Sequence, residues 1–238
     1  DGTWTAGSWE SRTLPGRMNE EQSTPRGVLF AYDIVISRMR IGISGEGNDM
    51  EIENLLQAQS REQLREWLKE HSTTEKCCWV IVNMSPSPDT VLYLDAVEEA
   101  LCFGWIDSTK KKVSDNQMAQ RLSPRSKKSS WTELNKERVR RLEKLGLMTD
   151  EGRKVLPDMN PSAFRIDSVI EQRLREDGQT YENCMAFPSL YRRVRIDTIQ
   201  SVKNQPELFE SRLDKFIVNT KANKMYGQWN DDGRLLDY

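Results

Sequence analysis

An arginine on the apolar side of a helix is the sharpest chemical feature of this sequence. Projected at 100° per residue, the stretch Trp131 to Leu145 gathers Trp131, Leu134, Val139, Leu142 and Leu145 on one stripe, and Asn135 and Arg138 fall inside the same arc. A guanidinium turned inward is costly unless a carboxylate, a backbone carbonyl or an anionic ligand satisfies it. Asp107, which shares a strand face with Trp105 and Thr109, is the carboxylate that the pattern offers. Two arrangements are open: a structural pair tying helix to sheet, or a ligand site built from Trp105, Asp107, Arg125, Trp131, Asn135 and Arg138.

The surrounding charge points the same way. Residues 108–154 hold 14 Lys/Arg against six Asp/Glu, net +8, in a chain of 238 residues whose overall charge is −2. Such a basic middle can hold phosphates or other anions, with Trp105 and Trp131 as stacking surfaces. It is also what a solvated helix face looks like: Lys136, Arg140 and Lys144 lie four apart on the outer side, and Glu137 can pair with Arg141.

Catalytic and metal chemistry find little support. Cys77, Cys78, Cys102 and Cys184 lack CxxC spacing, and His71 is the only histidine, so neither a metal site nor a His-dependent triad is expected. The apolar context of Cys102 should raise its pKa, and Glu98 and Glu99, adjacent on a helix, do not face one another. Gly45-Glu46-Gly47 lacks the remaining parts of a phosphate-binding loop, and no cofactor is expected. The open readings are a module for a small anionic ligand or protein partner, an enzyme on a small anionic substrate with Asp107 as acid/base and Arg125 or Arg138 as clamp, and a nucleic-acid-binding module.

The elements that must position these residues follow from periodicity. Ser60 to Gln63 reads as a capping box ahead of Leu64, Trp67 and Leu68; Cys77 to Met84 reads as a strand; Leu94 to Cys102 reads as a helix stopped by Gly104. Trp105 to Val113 and Gln117 to Ser123 flank the turn Ser114-Asp115-Asn116 as a hairpin. Helices follow over 131–145, 149–156, 168–177, 189–203 and 206–220. The fold class is therefore α+β, a small antiparallel sheet of about three strands packed with helices, then a mainly helical C-terminal half. Residues 1–49 are expected to be an extension, poorly ordered or foreign to the native protein, residues 50–157 an α+β core and 158–238 a helical region. No apolar run reaches membrane-spanning length, and neither a secretory signal nor a cysteine framework is apparent, so a cytoplasmic setting is expected.

The string Ala100 to Ser108 (ALCFGWIDS) resembles the signature of the YdeI or OmpD-associated family, also called bacteriocin-protection proteins. Ser123-Pro124-Arg125, Ser129, Trp131 and Asn135 to Val139, then Gly146 to Thr149, are similar to its next blocks. Phe187-Pro188, Tyr191 to Ile196 and Asn223 to Gly227 extend the likeness to about residue 227. Asn83-Met84 departs from it, where relatives often carry a lysine pair. The resemblance implies a bacterial intracellular protein linked to resistance against bacteriocins or cationic antimicrobial peptides, without an established reaction.

Overall fold

The computed structural model describes residues 54–238, Ile52 and the strand Val35–Ser37. The rest of the expected 1–49 extension lies outside the described residues. The chain is α+β, and the expected helical C-terminal half is present.

The elements are β1 (Val35–Ser37), β2 (Leu55–Gln57), α1 (Arg61–His71), β3 (Cys78–Asn83), β4 (Val91–Leu92), α2 (Tyr93–Cys102), β5 (Trp105–Ser114), β6 (Gln117–Pro124), α3 (Glu133–Lys144) and α4 (Asp150–Arg153). A 3-10 turn at Pro161–Ala163 leads to α5 (Ser168–Arg175), α6 (Gly178–Ala186), α7 (Ser189–Gln200) and α8 (Pro206–Lys221). The three expected strands form an antiparallel unit in the order β3-β6-β5, but the sheet is larger and mixed. β2 and β4 run parallel to β3, and β1 pairs antiparallel with β2. These added strands are two or three residues long, too short to carry a period.

β3 shows why its sequence is continuously apolar. Cys78, Val80 and Val82 enter the core shared with α1, α2 and α3, whereas Trp79 and Ile81 enter a second cluster with Ile52, Leu55 and Ala119. Both faces of the strand are buried, so alternation is lost. The α1 cap forms as expected, the Ser60 hydroxyl accepting from Gln63 N at 3.3 Å, but the returning Gln63 side chain accepts from Gln59 N. α2 ends at Gly104, whose φ of +74° suits glycine, and whose missing Cβ leaves room for the Glu151 carbonyl and Val155.

α3 begins two residues later than expected, capped by Thr132, so Trp131 precedes the helix. Val139 and Leu142 are fully buried, whereas Leu145 is exposed and does not belong to the stripe. The C-terminal helices enclose their own core, with Ile170, Tyr191, Ile196, Leu213 and Phe216 at its centre. α6, absent from the sequence reading, is capped by Asp177. After α8 the chain turns at Asn223 and Gly227 and returns along α7 and α3, where Leu235 packs with Leu190 and Val194 of α7 and Leu134 of α3 lies against the same cluster.

Candidate functional site

Arg138 is turned inward, as the projection requires, but its carboxylate is not Asp107. Its Nε and Nη2 donate to the two Asp231 carboxylate oxygens at 2.6 and 2.8 Å, and Nη1 donates to Asn135 Oδ1 at 2.8 Å. Burial pulls the Arg138 pKa down, yet the hydrogen bonds and charge of Asp231 outweigh it and raise the value. Asp231 sits in a turn of the returning tail with φ 52°. The helix-to-sheet tie is thus replaced by a helix-to-tail tie, and Asn135 is part of that pair. Asp107 instead accepts from the Tyr93 hydroxyl at 2.9 Å. This contact and burial, with burial the larger cause, push the Tyr93 pKa up to about 12.

Trp105 faces the core: it is 1% exposed, its indole N–H donates to the Ser72 carbonyl at 3.0 Å, and its ring meets Trp67 edge-on. The stacking surface expected of it is enclosed. Trp131 does present a face, and what lies on it is Arg125, whose guanidinium carbon is 3.7 Å from the ring centroid.

Arg125 is the unusual group. It follows the last residue of β6, its backbone N–H donating to the Gly104 carbonyl at 2.9 Å, so the β5 start and the β6 end clamp it in place. It is 6% exposed, and one nitrogen, Nη1, donates to the Ser130 carbonyl at 2.7 Å. Nε and Nη2, both buried, have no hydrogen-bond partner, and no carboxylate among the described residues lies within ion-pair distance. Burial lowers its pKa, a shift that the charge of Asp107 only partly opposes. The unpartnered pair is the same side-on edge with which Arg138 grips Asp231, the edge that matches the two oxygens of a carboxylate or phosphate.

The rest of the basic middle is largely spoken for. Arg141 donates to Glu98 at 2.8 Å; Arg61 reaches both Glu98 and Glu99, Arg65 reaches Glu99, and Arg234 bridges Asp95 and Glu98. Glu98 and Glu99 are fully buried, their charge matched by arginines from α1, α3 and the tail. Glu137 pairs with Arg140 and Arg193 rather than with Arg141, and accepts from Tyr238. Lys136 pairs with Glu133, and Lys144 reaches the Tyr238 carbonyl. On the outer side of α3, Lys136 and Arg140 are part-buried, with Arg193 of α7 and Tyr238 of the tail meeting the same carboxylates, whereas Lys144 is exposed. Lys127 and Lys128, beside Arg125, are exposed.

Burial pushes the Cys102 thiol up to about 12, the direction its apolar context implies. His71 stacks on Trp67, and no group of three or more His, Cys, Asp or Glu suited to a metal is found among the described residues. Sequence reasoning missed Tyr93, Ser130 and Asp231. Tyr93 was discoverable as the residue opening α2 just before its apolar face; Asp231, in an aperiodic tail, left only the turn-forming run Asn230 to Gly233 as a signal.

Residues 56–155 match the model of a family described as a domain of unknown function (DUF8412), a span that includes Tyr93, Asp107, Arg125, Trp131 and Arg138 but not Asp231. No curated protein and no solved structure matches the chain.

Proposed function

We propose that this chain is a recognition protein without catalytic chemistry of its own. In this reading it holds a small ligand bearing a carboxylate or phosphate on the Nε/Nη2 edge of Arg125, and it acts in the stress or envelope-defence role of the YdeI or OmpD-associated proteins. The observation that carries the reading is the buried, half-satisfied guanidinium stacked on Trp131. An unpaired buried cation is a standing cost that an anion of matching shape removes. The sequence blocks behind the family resemblance supply this corner: Gly104 to Asp107 forms one wall, Pro124-Arg125 the donor and Trp131 the platform. Four free thiols, three of them buried, suit a cytoplasmic setting.

Arg138 is a poor clamp for a substrate because Asp231 and Asn135 already use its donors, which disfavours the enzyme reading. The nucleic-acid reading loses the α3 arginines to internal partners and keeps mainly the exposed Lys127 and Lys128 of the Ser126 to Ser130 loop.

A thermal-shift series with phosphate, sulfate, acetate and citrate tests the proposal. At about 100 times Kd an anion stabilises by about 2.7 kcal/mol, which raises Tm by roughly 5–10 °C in a chain of this size. Arg125→Gln should abolish the shift while Arg138→Gln, scored against its own lower baseline, keeps it. Equal shifts in wild type and Arg125→Gln, or none with any of the four anions, would refute it.

A further inference from the structure

Another arginine without a counter-ion among the described residues lies in the other half of the molecule. The segment from the 3-10 turn to α5 runs alongside α7 and is tied to it at one end, where Gln200 Oε1 accepts from Asp167 N at 3.2 Å and Gln200 Nε2 donates to the Arg165 carbonyl at 3.3 Å. Between them lies a cleft of about 380 Å³. Phe164, Ile166 and Ile196 give it an apolar wall and floor; Ser189, Arg192 and Arg193 give it a polar rim. The size is that of a small-ligand site.

The two guanidiniums differ in availability. Arg193 is committed to Glu133 at 3.1 Å and to Glu137 at 2.7 Å. Arg192 has only a 3.1 Å contact from Nη1 to the Met185 sulfur, a weak acceptor, and its buried Nε has no partner. No carboxylate among the described residues pairs with it. A free positive charge beside a phenylalanine- and isoleucine-lined cleft is complementary to a molecule with an anionic head and an apolar body.

We propose that this cleft binds a small amphipathic carboxylate, its head on Arg192 and its apolar body against Phe164, Ile166 and Ile196. This site is separate from the Arg125 corner and stands whether or not that corner binds an anion.

Isothermal titration with 4-phenylbutyrate tests it, with 4-phenylbutan-1-ol as the uncharged counterpart. The full chain should bind the carboxylate saturably, and the alcohol at least about tenfold more weakly. Arg192→Gln should weaken the carboxylate by a similar factor, and Arg125→Gln should leave it unchanged. Arg192 supports no ion pair among the described residues, so both glutamine variants are expected to fold, which circular dichroism checks; if Arg192→Gln does not fold, Arg192→Lys takes its place and should retain the preference for acid over alcohol. The proposal is overturned by absence of saturable binding, by equal affinity for acid and alcohol, by full affinity in Arg192→Gln, or by loss of binding in Arg125→Gln.

Discussion

Arg125, buried, and Arg138, with its side chain 12% exposed, both lie in the first half of the molecule, and both use or offer the same edge of the guanidinium. Around Arg138 every donor group is occupied: Asp231 takes the Nε/Nη2 edge, Asn135 takes Nη1, and the pKa rises. At Arg125 the ring of Trp131 covers the flat face, Ser130 takes one nitrogen, the Nε/Nη2 edge is buried without a hydrogen-bond partner and the pKa falls. The comparison separates two uses of a buried charge. A matched pair fixes the chain in place, here the returning tail against α3; on the proposed reading, an unmatched cation in a rigid setting is preorganised for something that arrives from outside.

The largest effect should come from breaking the matched pair. Asp231→Ala strands Arg138 and is expected to cost about 3–5 kcal/mol in urea unfolding. Arg138→Ala should cost a similar amount, and the double variant much less than the sum, because the partner left behind no longer carries an unpaired charge. Additive losses would show that the tail contact does not hold the helix.

Applied to the other arginine, the same logic predicts a different size of effect. Without ligand, Arg125→Met should remain within about 1 kcal/mol of wild type, since relief of an unpaired buried charge offsets the lost contacts with Trp131 and Ser130. A loss of about 3 kcal/mol or more would make Arg125 a strut like Arg138.

The smallest effect concerns Tyr93, whose hydroxyl donates to Asp107 at 2.9 Å. Its folded pKa of about 12 lies above the ordinary value of 10.0, so the folded chain retains that proton more tightly. The associated stability is fully present below about pH 10 and is lost as pH rises through about 12. Tyr93→Phe should therefore flatten the alkaline limb of the stability curve, part of which remains because burial also pushes Tyr238 up to about 12. An unchanged alkaline limb would count against the Tyr93–Asp107 hydrogen bond.

How much of this was legible in the sequence depends on how local the cause is. The inward turn of Arg138 follows from the helical period of its own neighbours. Its partner does not, because Asp231 lies 93 residues away in a stretch with no period. Glu98 and Glu99 were set aside as a carboxylate pair because neighbours on a helix diverge, yet both are buried and matched by arginines drawn from α1, α3 and the tail. Arg125 could be named as a candidate, but its burial is set by the meeting of the β5 start, the β6 end and Trp131, none of which a loop sequence encodes. β3, β5 and β6 were readable because they are long; β2 and β4, two or three residues each, are defined by pairing with β3, and β2 also with β1, rather than by a period of their own.

The most direct test observes the unpartnered edge itself. In protein labelled with ¹⁵N-arginine, the Nε–H resonance of Arg125, assigned through Arg125→Lys, is followed as phosphate or acetate is added, with Arg138 Nε–H as the internal reference. Recognition at the unpaired edge predicts that the Arg125 signal moves saturably while that of Arg138, already held by Asp231, stays fixed. An Arg125 signal that does not move, or that drifts in step with Arg138 as ionic strength rises, would contradict it.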